Sequence, residues 1–212
     1  MDQNTIITLI RHGETDWNLS GRWQGHADSP LSSRGLEQAK ALGERIKSEE
    51  FDFYYSSDLG RALHTSKLVG EPSGMVAQSF PGLRERDLGV LEGLNTTEME
   101  ETQPDVYTSF RNDGPDFQVP GGESFRQFYE RCLMAIEELA SMHKGSRIAV
   151  VTHGGVLGAI FRYVLKLSLE ADRNFVLLNC SLNRIEHKSG GWNLMSWGDV
   201  AHLKQLDSLD DA

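Results

Sequence analysis

Two histidines stand where chemistry is easiest to place, each directly behind a short apolar run. His12 follows Thr5–Ile10 (TIITLI) in the segment Leu9-Ile10-Arg11-His12-Gly13-Glu14-Thr15, and His153 follows Ile148–Thr152 (IAVVT) and precedes Gly154-Gly155. A neutral imidazole nitrogen is nucleophilic and can hold a phosphoryl group covalently, which divides a transfer into a step onto the ring and a step away from it. The obstacle is electrostatic, because a phosphate dianion repels nucleophiles and charge builds on the leaving oxygen. Guanidinium groups answer this with planar, paired donors that stay cationic, and Arg11 is adjacent to His12. Gly13 lets the backbone come close, and its N–H is a further candidate donor. Taken alone, an Arg-His-Gly tripeptide fits a structural histidine better than a catalytic one. Its weight comes from its company: Glu14-Thr15-Asp16-Trp17-Asn18 behind it, then Ser56-Ser57-Asp58-Leu59-Gly60-Arg61-Ala62, then Val151-Thr152-His153-Gly154-Gly155.

Those residues need a scaffold that brings three distant segments together, and the hydrophobic pattern supplies one. Thr5–Ile10 is β-branched and apolar, as a buried strand should be. A long polar and glycine-containing loop follows, from Gly13 to Ser33, with a turn at Asp28-Ser29-Pro30. From Gly35 to Lys47, Leu36, Ala39, Leu42 and Ile46 recur at helical spacing. Phe51–Tyr55 reads as a second strand, Ser57-Asp58 as the start of a helix to about Val69, and Met75–Ser79 as a third strand. Residues 81–122 are rich in glycine and proline and hold one weak helical stretch, so they read as an insertion or lid. Phe125, Phe128, Cys132, Ile136 and Leu139 mark one face of a long helix that Gly122-Glu123-Ser124 introduces. After Ile148–Thr152 come a helix over Val156–Leu165 and strands over Phe175–Asn179, Leu182–His187 and Trp192–Ser196, the last two joined at Gly190-Gly191. Strands alternating with helices predict a single α/β domain over 1–212: a three-layer α/β/α sandwich around a mostly parallel sheet, with 81–122 over the site. In such sheets ligands sit beyond the carboxyl ends of strands, where His12 and His153 fall.

Bulk properties narrow the function classes. A chain of 212 residues can bury a real core, and 39% hydrophobic with 25% charged residues is an ordinary globular balance. The net charge of −10 makes the chain a poor general binder of nucleic acid or of an anionic membrane. No apolar run reaches the roughly 18 residues of a membrane span and no basic-then-apolar leader precedes the first strand, so the expectation is a cytoplasmic protein. Cys132 and Cys180 both lie in apolar surroundings and read as buried free thiols. No ligand spacing for a metal appears. The tail from Gln205 is acidic and reads as frayed.

With these pieces in place the sequence resembles the histidine phosphatase superfamily, which includes the cofactor-dependent phosphoglycerate mutases and many small-molecule phosphatases. The resemblance rests on LIRHGETDWN at 9–18, PLSSRGLEQAKALGERI at 30–46, SSDLGRALHTS at 56–66, LRERDLGVLEG at 83–93, PGGESF at 120–125 and VTHGG at 151–155, in the family's order and across almost the whole chain. It implies that His12 is the phosphoryl acceptor, that Arg11, Arg61 and His153 surround the transferred phosphate, and that Asn18 and the Gly154 N–H reach it as well. It implies Glu85 as proton donor to the leaving oxygen and as base in the second step. Glu14, Asp87 and Glu92 are nearby carboxylates, with Glu92 read as structural. Leu91 stands where the family often carries an aromatic residue.

Arg22, Trp23 and Gln24 in the first loop, and Arg84 beside Glu85, are candidates for contact with the rest of the substrate. Two further arginines would suit a carboxylate or second phosphate. The stretch between the Glu85 motif and the second histidine carries Arg111, Arg126 and Arg131 against Glu98, Glu100, Glu101, Asp105, Asp113 and Asp116. An acidic cover suits a bisphosphate poorly, so a phosphomonoesterase acting on a small phosphate ester is expected over a mutase. No metal and no cofactor are expected, with 2,3-bisphosphoglycerate as primer only for the mutase. A catalytically idle phosphate-binding module on the same fold is the reading from another class. The C-terminal strands offer an edge through which a homodimer could form.

Overall fold

The computed structural model describes residues 4–203, and the acidic tail from Gln205 lies outside them. In chain order the elements are β1 (Thr5–Arg11), α1 (Asp16–Leu19), α2 (Ser33–Ile46), β2 (Phe53–Ser56), α3 (Gly60–Gly70), β3 (Gln78–Ser79), α4 (Thr96–Thr102), α5 (Pro104–Asn112), α6 (Phe125–Met142), β4 (Arg147–Thr152), α7 (Gly154–Leu165), β5 (Leu182–Lys188) and β6 (Gly191–Asp199). The strands form one sheet in the order β3-β2-β4-β1-β5-β6. β3, β2, β4 and β1 run parallel, and β5 and β6 add an antiparallel edge.

Strand periodicity divides the core in two. Ile7, Leu9, Ile148 and Val150 face Phe128, Cys132, Ile136 and Leu139 of α6 and Leu157 and Ile160 of α7. Ile10, Ala149, Val151 and Tyr54 face Ala39, Leu42 and Ile46 of α2 and Ala62 and Val69 of α3. The three layers follow from this alternation. Both cysteines are buried free thiols, one in each half of the core.

Four expectations change. Phe175–Asn179 is not a strand, because its polar backbone is used elsewhere: the Leu177 carbonyl accepts from Arg11, and the neighbouring Cys180 N–H donates to the Arg11 carbonyl at 3.1 Å. The third strand shrinks from Met75–Ser79 to Gln78–Ser79, since the Met75 N–H turns back to Gly70 O and Val76 is exposed. The helix expected from Ser57-Asp58 starts at Gly60, because the Ser57 N–H still bonds to Val151 O and prolongs the sheet. The 81–122 stretch holds two helices rather than one, α4 and α5, divided at Gln103-Pro104. Asn95 caps α4 in a reciprocal box with Glu98. Leu88, Leu91, Met99 and Val119 form a separate small core there, with Leu91 fully buried in the place of the family's aromatic.

Candidate active site

Parallel register aligns the strand ends. Arg11 lies opposite Thr152, and Ser56 opposite Val151, so the next residues, His12, His153 and Ser57, emerge side by side. The two imidazoles have ring centroids 5.3 Å apart, and both are almost completely buried. The Nδ1 of His12 lies 2.8 Å from Gly13 O. A carbonyl only accepts, so this contact places the proton on Nδ1 and leaves the Nε2 lone pair for chemistry. Burial, then the Arg61 and Arg11 guanidiniums, hold the His12 pKa well below its usual value, and so keep the ring neutral. His153 is pushed down by the same causes, with burial again first. A charged ring at that position needs an anion beside it; the protein's own groups favour the neutral form. Its Nε2 meets Ser57 Oγ at 2.7 Å, while its buried Nδ1 has no hydrogen-bond partner among the described residues.

Arg61 is 1% exposed. Its Nη2 donates to Gly25 O at 2.8 Å, and its Nη1 to Ala27 O at 2.9 Å and to Asp28 Oδ1 at 3.1 Å. Burial lowers its pKa, opposed by the charges of Glu85 and Asp28. Its buried Nε has no partner among the described residues. Asp28 also accepts the Arg61 backbone N–H and so caps α3 from another loop. A side chain at Gly60 would meet the Asp28 carboxylate at 2.0 Å. On the far side of β1, the Asn179 side-chain amide donates to His12 O at 3.0 Å. The irregular 175–181 segment thus holds both Arg11 and His12, a role that its apolar composition did not signal.

Gly13 departs from expectation. Its N–H is consumed by Thr65 Oγ at 3.0 Å, and a Cβ there would lie 2.6 Å from Gly35 O. The close approach is to the start of α2. Gly154 opens α7, and a Cβ on it would touch the Arg11 guanidinium carbon at 3.3 Å. The neighbouring Gly155 N–H donates to Glu85 Oε2 at 2.8 Å, and the Arg86 N–H to Glu85 Oε1 at 2.8 Å. The carboxylate therefore sits at the positive end of a twelve-residue helix, next to the histidine pair. Glu92 instead accepts the backbone N–H groups of His26, Ala27 and Leu88, a structural role. Glu14 is fully buried and accepts from Ser32 Oγ.

The remaining candidates lie around this centre. Asn18 is buried and caps α1 reciprocally with Thr15. Arg22 grips Glu98 with two bonds, at 2.5 and 2.7 Å, and Arg84 grips Asp58 at 2.7 and 2.5 Å. Trp23 stacks edge-on against Phe110, 5.5 Å between centroids, and ties the first loop to α5. Gln24 is buried with its Oε1 lacking a partner among the described residues. Among the described residues no group of three or more His, Cys, Asp or Glu side chains is placed to hold a metal ion, and no helix is long and apolar enough to cross a membrane.

The profile of the histidine phosphatase superfamily (branch 1) matches residues 7–200. The chain belongs to this superfamily. A metal-independent phosphoserine phosphatase of Arabidopsis thaliana is 41% identical over 208 residues, covering 97% of this chain and 86% of the relative. Phosphoglycerate mutase-like protein 4 of the same plant is 36% identical, covering 96% of this chain and 89% of that one. The crystal structure of the α-ribazole phosphatase of Shigella flexneri superposes with a TM-score of 0.84 at 29% identity, covering 92% of this chain and 96% of that one. Superfamily membership fits the convergence of His12, His153, Arg11, Arg61 and Glu85 from three strand ends and one loop. It leaves the substrate open, since these relatives' names differ in what they act on.

Proposed function

We propose that this protein is a metal-independent phosphomonoesterase that hydrolyses a small phosphate ester through a phosphohistidine at His12. The observation that carries the reading is the buried His12, its Nδ1 held by Gly13 O and its pKa lowered by burial and by the Arg61 and Arg11 guanidiniums, with the His153 ring 5.3 Å away and Glu85 bonded to Gly155 just behind it. In the first step the Nε2 lone pair attacks phosphorus, the P–O ester bond breaks, and Glu85 gives its proton to the leaving alkoxide. In the second, Glu85 takes a proton from water, the water oxygen bonds to phosphorus, the P–N bond breaks, and inorganic phosphate leaves. Arg11, Arg61 and His153 hold the phosphoryl oxygens throughout. Asn18 and the Gly154 N–H are further phosphate contacts, while Arg22, Trp23, Gln24 and Arg84 border the space for the rest of the ester.

Water as the second acceptor is supported by the charge pattern of the cover. Arg22, Arg84, Arg126 and Arg131 each meet a carboxylate, which leaves these four little attraction for the second phosphate a mutase must retain. The phosphatase names of two relatives agree, and phosphoserine heads the panel of esters to test.

Enzyme quenched in alkali during turnover should carry phosphate that is lost in acid. His12→Ala should carry none and lose activity by about 10⁵-fold. Equal phosphate release by both proteins would overturn the reading. Rapid isomerisation of 3-phosphoglycerate with catalytic 2,3-bisphosphoglycerate, and little free phosphate, would make the protein a mutase. Activity abolished by chelator and restored by Mg²⁺ would remove the metal-independent part.

A further inference from the structure

The Pro120-Gly121-Gly122-Glu123-Ser124-Phe125 motif takes no part in the steps above, and its surroundings show what it holds. Glu123 is bonded to the Glu85 loop through main chain and side chain together. Its N–H donates to Asp87 O at 2.9 Å, its carboxylate accepts the Asp87 N–H at 3.2 Å, and its carbonyl accepts from Arg86 Nε and Nη2 at 3.2 and 3.0 Å. The two glycines let the backbones touch. A Cβ on Gly122 would lie 2.5 Å from Asp87 O, and one on Gly89 would lie 2.2 Å from Pro120 O.

Two turns along α6, Arg131 completes the arrangement. A guanidinium has five N–H donors in a rigid fork, and here all five are engaged. Nε and Nη2 grip the Glu123 carboxylate at 2.8 and 2.9 Å. Nη1 donates to Gly82 O and Arg84 O, both at 3.0 Å, and Nη2 to Glu85 O at 3.0 Å. The Arg131 cation lies over the Phe128 ring, 5.3 Å from its centroid, which fixes it to the helix core. His26 Nε2 reaches the same Glu85 carbonyl at 2.9 Å from the other side. The backbone carrying Glu85 is therefore anchored by Arg131 of α6 at residues 82, 84 and 85, and by Glu123, just before α6, at residue 87.

We propose that Arg131 and Glu123 are positioning residues that hold Glu85 in reach of the leaving oxygen. Arg131 has no donor left for substrate, so it acts only through the loop it grips. Lysine cannot replace it, because one ammonium cannot span three carbonyls and a carboxylate in this geometry. The inference rests on the assignment of Glu85 as general acid, and the test separates the two.

The test compares single-turnover transfer to His12 from p-nitrophenyl phosphate, whose leaving group departs without a proton, and from 2-glycerophosphate, whose alkoxide needs one. Glu85→Gln is the reference and should slow the alkyl ester about 10²-fold more than the aryl ester. Arg131→Met and Arg131→Lys should reproduce that selectivity in the saturating single-turnover rate, with the half-saturating concentration of either ester changed less than that rate for the alkyl ester. A loss equal on the two esters would overturn the clamp while leaving Glu85 in its role, whereas absence of selectivity in Glu85→Gln itself would overturn the acid assignment. Should both Arg131 variants fail to fold, Glu123→Gln carries the same comparison, because its amide oxygen can still accept the Asp87 N–H and only the guanidinium's anionic partner is lost. An alkyl-selective slowing supports the clamp, and equal rates on the two esters relative to wild type overturn it.

Discussion

The strand-end site and the 81–122 segment treat positive charge in opposite ways. At the strand ends, Arg61 is fully buried and held mainly by the Gly25 and Ala27 carbonyls, with Asp28 its one carboxylate bond and that residue partly exposed. Around 81–122, Arg22 closes on Glu98, Arg84 on Asp58, Arg126 on Asp116 and Arg131 on Glu123. Carbonyl dipoles orient a guanidinium without neutralising it, so the first region keeps its field for an incoming dianion. Carboxylates cancel the charge they orient, so these four arginines serve shape, while Arg86 in the same segment is held by the Glu123 carbonyl. On the proposed function, phosphate recognition would be generic, and discrimination among esters would fall to neutral and aromatic groups of the cover, such as Trp23 and Gln24.

The largest expected effect lies in the first region. Arg61→Lys should lower kcat roughly 10²–10³-fold, by the same factor on every ester, if Arg61 meets only the phosphoryl group as proposed above. A loss that varies strongly from ester to ester would break the division between the two regions.

The next effect is on stability against pH. His12 and His153 are held well below the usual 6.5 by burial first and then by neighbouring cations. Well above that value both rings are neutral folded and unfolded, and neither makes stability depend on pH. As pH falls below it, the unfolded chain takes up protons that the folded site refuses. Stability should drop by roughly 1 kcal/mol per pH unit per ring until the lowered folded values are reached. Urea unfolding near pH 7 and near pH 5.5 should show wild type losing about 2 kcal/mol more than the His12→Gln, His153→Gln double variant. Parallel losses in the two proteins would show that the rings titrate normally in the fold.

The smallest effect belongs to the cover. Arg22→Met should change kcat/KM by less than about five-fold on each ester. A selective rise in KM for esters carrying a carboxylate, phosphoserine among them, would show that Arg22 leaves Glu98 for the substrate, and would move the boundary between the regions.

Much of this was legible in order along the chain. Thr5–Ile10 and Ile148–Thr152 announced central strands because burial on both faces leaves no polar alternation. The histidines behind them marked the site, since parallel strands present their next residues on one edge. Where the reading failed, the deciding partner was remote. Phe175–Asn179 looked like a strand, but its Leu177 carbonyl serves Arg11 and its Asn179 side chain serves His12. Ser57-Asp58 looked like a helix start, but α3 begins after Leu59, and its first-turn Arg61 N–H is taken by the remote Asp28. Gly13 looked like a phosphate donor, but Thr65 takes its N–H.

The sequence by itself determined the layered fold and the histidine pair, because these rest on local periodicity and on what directly follows a strand, and it pointed to the superfamily through six motifs that resemble the family's in order. Only the tertiary structure decided which arginines keep their charge for a ligand and which are consumed by a carboxylate, and which carboxylate rests on the start of α7. Arg61, Arg22 and Arg131 are equivalent as letters. What separates them is the partner that folding brings within hydrogen-bond range, from as far as 76 residues away for Arg22 and Glu98.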